Sequence, residues 1–181
     1  MGTALVVIDL QEAMRDTCDA GNPWANPGAV EAALRVLAGF RAAGLAVVHG
    51  HHHDTDPADE FHPDNPLSAP MPEMVPLPGE AVVVKHGLSG LISTGLKTLL
   101  REAGRDRLVV PGGEASMCVE STVRMAGNLG FKTTVVADAL INFGRRARDG
   151  REVSPEVVLD MSLSNLRSFA RIVESGEVSA A

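Results

Sequence analysis

The sequence contains few aromatic residues and few cysteines. Of its 181 residues, five are Phe, one is Trp and none is Tyr, and the only cysteines are Cys18 and Cys118. They form no CxxC pair, so the sequence indicates neither a disulfide framework nor a cysteine zinc site. The apolar run 4–8 is too short for a signal peptide, and no run approaches the roughly 20 residues that span a bilayer. We therefore expect a soluble, cytoplasmic protein that does not bind membranes.

Positive charge is also scarce. The formal net charge is −7, and Lys and Arg are scattered without a basic stripe, so the sequence lacks the charge pattern of a nucleic-acid-binding protein. The charge fits a small neutral or cationic substrate better than a polyanion. The chain length and the apolar content of 45% predict a single globular domain over residues 1–181.

Short apolar runs rich in β-branched residues recur along the chain. They are nearly continuous rather than alternating, which is typical of strands covered on both faces of a parallel sheet. Stretches with helical spacing separate them. This alternation predicts an α/β fold, a three-layer doubly wound sandwich with a six-stranded, mainly parallel sheet. The predicted strands are 5–8, 46–49, 81–85, 108–111, 133–137 and 169–173, and the predicted helices are about 27–44, 91–103, 118–130 and one beginning after Ser154-Pro155.

The segment 49–78 breaks this alternation. It contains five of the six histidines and seven of the eleven prolines, and it has little periodicity. Because loops of this length are usually functional or mobile, we expect the segment to be one or the other.

Three chemically reactive side chains follow predicted strands. Asp9 follows the first strand, Lys85 closes the third, and Cys118 follows the fourth after the turn 112–117. Ligands of open parallel sheets bind beyond the carboxyl ends of the strands, so we expect these side chains to converge. A helix start and a lysine favour a thiolate, and an aspartate can take up the thiol proton and pass it to a leaving amine. Amides of the glycine-rich turn can form an oxyanion hole.

Each residue also has a structural explanation when it is considered alone. A carboxylate after a strand often caps a helix, a lone lysine is usually solvated, and a lone cysteine is usually packed in the core. The joint position of the three at strand ends favours nucleophilic catalysis through a covalent thioester.

Three stretches resemble the isochorismatase-like cysteine hydrolases in order and spacing. They are ALVVIDLQEAM (4–14), VVVKHGLSGLISTGLKTLL (82–100) and LVVPGGEASMCVESTVRMAGNLGFKTTVVADAL (108–140). The resemblance places the family's catalytic triad on Asp9, Lys85 and Cys118. It also implies a cis peptide between Gly113 and Glu114, and an oxyanion hole formed by the amides of Glu114 and Cys118. Because members that cleave the vinyl ether of isochorismate lack the cysteine, Cys118 favours the amidohydrolase branch, which acts on amide, carbamoyl or ureide, and lactam C–N bonds.

Two other functions remain open. Nicotinamidases resemble this chain in the core but carry a metal site with an Asp-x-His pair, which is absent here. His51, His53 and His62 could still bind zinc or iron if the loop folded back, although solvated or substrate-facing histidines are the simpler explanation. We expect no cofactor. The alternatives are a metal-assisted nicotinamidase-like or vinyl ether hydrolase, and a non-enzymatic thiol sensor.

The walls of the pocket are predicted from residues near the strand ends. Gln11 would point to the same side as Asp9 if the first strand continued, and Trp24 lies in a loop that could cover the mouth of the site. Leu91 stands where many relatives carry an aromatic residue, which would alter substrate packing, and Cys18 is expected to be structural. By analogy with small members of this fold, we expect a homo-oligomer, a dimer or tetramer, with the apolar segment 156–173 as a candidate contact. The predicted substrate-binding residues are Gln11, Trp24, Phe61, His86, Leu88, Gly113, Leu140 and Phe143, with Ile141 beside them.

Overall fold

A six-stranded parallel sheet forms the centre of the computed structural model, which describes residues 2–179. The strand order is β3-β2-β1-β4-β5-β6, so the chain winds outward in both directions from the neighbouring strands β1 and β4. The predicted α/β fold is therefore confirmed, and the sheet is parallel throughout. The strands are β1 Gly2–Ile8, β2 Ala46–His52, β3 Ala81–Lys85, β4 Arg105–Gly112, β5 Lys132–Leu140 and β6 Ala170–Val173.

In the described part of the chain, five helices cover the sheet and complete the three layers. Side chains alternate along β1, so that Leu5 and Val7 pack with α1 and α2, whereas Val6 and Ile8 pack with α3, α4 and α5 on the other face. None of the helices within residues 2–179 is both long enough and apolar enough to cross a membrane. The helices are α1 Glu12–Asp19, α2 Ala29–Ala42, α3 Leu96–Glu102, α4 Glu120–Asn128 and α5 Pro155–Leu166.

The structure shows how the chain turns after β1 and before α3. Strand β1 does not continue to Gln11, because Asp9 takes a left-handed backbone conformation with φ of 50° and Gln11 becomes the N-cap of α1, a helix that was not predicted. Helix α3 begins at Leu96 rather than at 91. Ser93 is left-handed at φ 54°, and the Thr94 hydroxyl donates to the Gly90 carbonyl at 2.6 Å, which closes a turn before the helix.

Short elements connect the main ones. A π-helical turn, Ala115–Val119, leads directly into α4. The two together form the helical segment that was predicted from about residue 118. Helix α5 begins where it was predicted, with Ser154 accepting from the Val157 amide as N-cap. The remaining short elements are the antiparallel pairs Trp24–Ala25 with Asn142–Phe143 and Arg145–Arg146 with Glu152–Val153, and the 3-10 turns Pro66–Ser68, Pro72–Met74 and Ser175–Glu177.

Strand β3 departs from the expectation that every strand is covered on both faces. Val83 and Lys85 are buried, but Val82 and Val84 on the opposite face are 48% and 40% exposed. This strand is at the edge of the sheet, and neither α1 nor α2 extends far enough to cover it.

A charged network joins helix α2 to this edge of the sheet. Glu80, just before β3, accepts from both Nε and Nη2 of Arg41 at 2.7 and 2.8 Å, and lies 2.9 Å from Nε2 of the buried His49. Hydrogen bonding from Arg41 is the main cause that lowers the pKa of Glu80 to about 2, and burial opposes it. The bidentate geometry and low exposure make this an ion pair that contributes to stability.

We expect Glu80→Gln to lower the free energy of unfolding by about 1.5–3 kcal/mol, because it removes charge-assisted bonds from two partners. Urea denaturation followed by circular dichroism measures this change. The matched control is Glu73→Gln, whose partner Arg15 is on the surface and whose loss should cost less than about 1 kcal/mol. Equal losses in the two variants would contradict a structural role for the network.

Candidate active site

Strands β1 and β4 approach each other closely at their carboxyl ends. Gly112 has φ of 144°, and a Cβ at this position would lie 2.2 Å from the carbonyl oxygen of Ile8. The next amide, that of Gly113, donates to the same oxygen at 2.9 Å. Because residue 112 has no side chain, the segment after β4 runs directly beside the segment after β1, and Cys118 is brought next to Asp9.

Asp9, Lys85 and Cys118 converge in one buried cluster. The Lys85 Nζ lies 2.7 Å from Asp9 Oδ2 and 3.2 Å from Cys118 Sγ, and it also donates to the Gly87 carbonyl at 3.1 Å. The side chains of Asp9 and Lys85 are at most 1% exposed. The Lys85 ammonium group and the Cys118 thiol are both donors to the Asp9 carboxylate. An anionic acceptor therefore stands beside the thiol.

Burial sets the proton positions in this cluster. Desolvation raises the pKa of Asp9 to about 6, although the charge of Lys85 opposes the shift. Desolvation, followed by the negative charge of Asp9, raises the pKa of Cys118 to about 12, and Lys85 only partly compensates. These directions favour a thiol over the expected thiolate in the resting site, with the Asp9 carboxylate beside it at neutral pH.

The turn between β4 and α4 presents backbone amides near the thiol. The Gly113–Glu114 peptide bond is cis. The amides of Ala115 and Ser116 are occupied by the Ile141 carbonyl and the Asn142 side chain, both at 2.9 Å. In contrast, the Glu114 amide has no acceptor among the described residues. It is free to donate to a substrate oxygen, the geometry that an oxyanion hole requires.

The Glu114 carboxylate is held away from the thiol. Its Oε1 forms an ion pair with Arg145 at 2.5 Å and accepts from the Phe143 amide at 3.2 Å. Arg145 in turn lies 3.4 Å from the Ser116 hydroxyl. The side chain thus fixes the turn to the 142–146 segment.

Both polar atoms of the Gln11 side-chain amide connect the site to the segment 49–78. Its Oε1 accepts from the His52 amide at 2.7 Å, and its Nε2 donates to the His52 and Ser68 carbonyls at 3.0 and 2.6 Å. The residue is fully buried. Its contact with the substrate stays a prediction, and the partners of its side chain are all backbone groups, those of His52 and Ser68.

The other predicted pocket residues fall into four groups. Phe61 approaches the cluster through His52, with ring centroids 5.4 Å apart. His86 and Leu88 follow Lys85 on the outside of the molecule. The Nδ1 of His86 lies 2.7 Å from the His53 carbonyl, and Leu88 is 44% exposed. Trp24 pairs with Phe143 at the two-stranded ribbon. Gly113 is buried against Met14. Leu140 and Ile141 are buried in the hydrophobic cores on opposite faces of the sheet.

Sequence reasoning missed His52. It is paired in register with Lys85 on the neighbouring strand, and its Nδ1 lies 3.4 Å from Lys85 Nζ. The available signal was strand length, since β2 continues to residue 52 rather than ending at 49 and so places His52 opposite Lys85.

The structure does not bring the candidate metal ligands together. His51 lies beside His49 on the face of β2 opposite to His52, with ring centroids 6.2 Å apart. His62 hydrogen-bonds locally to the Asp64 amide. Within residues 2–179 no three His, Cys, Asp or Glu side chains are grouped to hold a metal ion.

Comparison with known proteins matches residues 3–152 to the isochorismatase domain. The chain is 30% identical over 179 residues to the uncharacterized isochorismatase family protein YrdC of Bacillus subtilis, covering 97% of this chain and 93% of YrdC. It is 32% identical to maleamate amidohydrolase of Pseudomonas putida, covering 83% and 76%.

Solved structures give the same assignment. An isochorismatase-family protein of Chromobacterium violaceum superposes with a TM-score of 0.92 at 39% identity, covering 97% of this chain and 90% of that one. N-carbamoylsarcosine amidase of Thermoplasma acidophilum superposes with a TM-score of 0.77 at 25% identity, covering 99% of both chains.

The negative charge of Asp9 should control the reactivity of Cys118 toward alkylation. We expect iodoacetamide to modify Cys118 slowly at neutral pH and faster as the pH rises. Asp9→Asn should shift this pH profile downward, because it removes a charge that raises the thiol pKa. Peptide-resolved mass spectrometry separates Cys118 from Cys18, which serves as internal control. An unshifted profile would show that Asp9 does not interact with the thiol.

Proposed function

The chain belongs to the isochorismatase family of hydrolases, and on that premise we propose that it cleaves an amide-type C–N bond of a small molecule through a thioester on Cys118. The substrate class is an amide, a carbamoyl or ureide group, or a lactam. The observation that carries the proposal is the buried contact of Lys85 with both Asp9 and Cys118. It supports a nucleophile with an adjacent base and a fixed counter-charge.

The first half of the reaction forms the thioester. Asp9 accepts the thiol proton as Cys118 Sγ attacks the carbonyl carbon, and the oxygen that becomes negative binds the amides of Glu114 and Cys118. When the tetrahedral intermediate collapses, the C–N bond breaks and Asp9 returns the proton to the departing nitrogen. The products are ammonia or an amine and an acyl group on Cys118.

The second half releases the acid. Asp9 takes a proton from water as the water oxygen attacks the thioester carbon, and the sulfur leaves and is protonated again. Lys85 stays charged throughout and balances the negative charge that moves between Asp9, Cys118 and the substrate oxygen. One carboxylate thus serves twice as base and twice as acid, which a raised pKa near 6 suits.

The alternatives have less support. The burial of Cys118, which is 7% exposed, disfavours a thiol sensor, which depends on an accessible thiolate. A metal-assisted reaction lacks a grouped ligand set within residues 2–179. Vinyl ether cleavage needs no nucleophilic sulfur, whereas the maleamate and N-carbamoylsarcosine enzymes among the similar proteins are named for C–N substrates.

We expect Cys118→Ala to abolish turnover of any amide that the protein hydrolyses, by at least about 10³-fold, because the covalent step is lost. The measurement is ammonia or amine release from a panel of primary amides, carbamoyl amino acids, ureides and lactams, including maleamate and N-carbamoylsarcosine. Cys18→Ser is the matched control and should keep full activity. Full turnover by Cys118→Ala would disprove the mechanism.

The acid limb of the pH profile should report Asp9. Only the carboxylate form accepts the thiol proton, so we expect kcat/KM to fall about tenfold per pH unit below a pH of about 6. Steady-state kinetics on the best substrate of the panel measure this limb. Activity that stays constant down to pH 4 would contradict a base with this pKa.

A further inference from the structure

The side chain of His52, the last residue of β2, contacts the charged cluster directly. Its Nδ1 lies 3.4 Å from Lys85 Nζ, on the face of the sheet that also carries Cys118. The Lys85 ammonium has three protons, and its other neighbours are Asp9, Cys118 and the Gly87 carbonyl. His52 is therefore a fourth group that decides where those protons point.

The geometry also specifies the state of the His52 ring. Only a neutral ring with its lone pair on Nδ1 can accept from an ammonium group, so the ring proton belongs on Nε2. On that side Nε2 faces Asp54 Oδ2 at 3.7 Å, and a carboxylate favours an N–H pointing toward it. Burial first, and then the charge of Lys85, lower the pKa of His52, which agrees with a neutral ring.

The ring is held in position from several sides. Gln11 binds both the amide and the carbonyl of His52, and Phe61 packs against the ring at an interplanar angle of 65°. The side chain is 17% exposed. A buried support from Gln11 and a partly buried one from Phe61 exceed what a solvated histidine needs, and they fix Nδ1 opposite Lys85.

We propose that His52 is a positioning residue that accepts a hydrogen bond from Lys85 through Nδ1 and keeps the ammonium group between Asp9 and Cys118. This inference rests on the proposed function. Without an acceptor at this position the Lys85 ammonium group loses one of the four partners that hold it in place. Its charge is then held less firmly beside the Cys118 sulfur. His52 acts through Lys85 and does not itself touch the reacting atoms.

Two substitutions test which ring nitrogen matters. In His52→Asn the amide oxygen can occupy the place of Nδ1, whereas in His52→Gln it reaches the place of Nε2. We expect His52→Asn to keep kcat within about threefold and His52→Gln to lose about 10- to 100-fold in kcat with little change in KM, because a misplaced catalytic group impairs the transition state more than binding. His52→Leu, which has no acceptor, should lose as much as His52→Gln.

The matched control is His51→Asn, on the same strand but on the opposite face of the sheet. It should keep the activity of the parent protein, and thermal unfolding of every variant monitors the fold. Equal activity of His52→Asn and His52→Gln, whether both are high or both are low, would overturn the proposal.

Alkylation of Cys118 separates failure of this inference from failure of the proposed function. Because the charge of Lys85 lowers the pKa of the thiol, iodoacetamide at fixed alkaline pH should modify Cys118 more slowly in His52→Gln and His52→Leu than in His52→Asn. If the parent protein hydrolyses no amide of the panel, the proposed function is wrong and the alkylation rates still decide the role of His52. Identical alkylation rates in all variants would disprove it.

Discussion

The buried ion pair between Asp9 and Lys85 is the electrostatic constraint on which the geometry of the site depends. Removing two charges from water costs several kcal/mol per ion, and their attraction offsets this only when geometry and hydrogen bonds are favourable. Here the ends of two strands supply the geometry, and Lys85 and the Cys118 thiol donate to Asp9. Desolvation nevertheless outweighs these contacts and raises the pKa of Asp9, so the surrounding fold must supply the stability that the pair does not.

This incomplete compensation explains the proton positions. The same desolvation that raises the pKa of Asp9 to about 6 raises that of Cys118 to about 12, so the two groups stay well separated. A permanently charged thiolate would require still more compensation in the interior. A resting thiol beside a carboxylate of raised pKa avoids that cost, and the negative charge moves to sulfur only when an adjacent carbonyl carbon can receive it.

The sequence was sufficient for the sheet and the three reactive residues because both depend on short-range signals. Near-continuous apolar runs mark strands covered on both faces, and Asp9, Lys85 and Cys118 stand at or just beyond their ends. Boundaries were less predictable. A left-handed residue at 9 or 93 starts a turn that no apolar period reveals, and β2 continues through His49–His52 although histidine is not a typical strand residue. His52 was missed for that reason, since its position became meaningful only through its register with Lys85.

The pocket walls were the least predictable part, because polarity alone does not distinguish a side chain that meets substrate from one that holds the site together. Gln11 is polar and lies two residues after Asp9, yet both polar atoms of its side chain bind backbone groups of His52 and Ser68. The Glu114 carboxylate likewise anchors the turn through Arg145, while its amide has no acceptor among the residues that the structure describes. In both residues a polar side-chain group that the sequence suggests for substrate binding instead fixes the geometry of neighbouring segments. We therefore expect selectivity for the substrate to come mainly from partly exposed groups on the segments after β2 and β3.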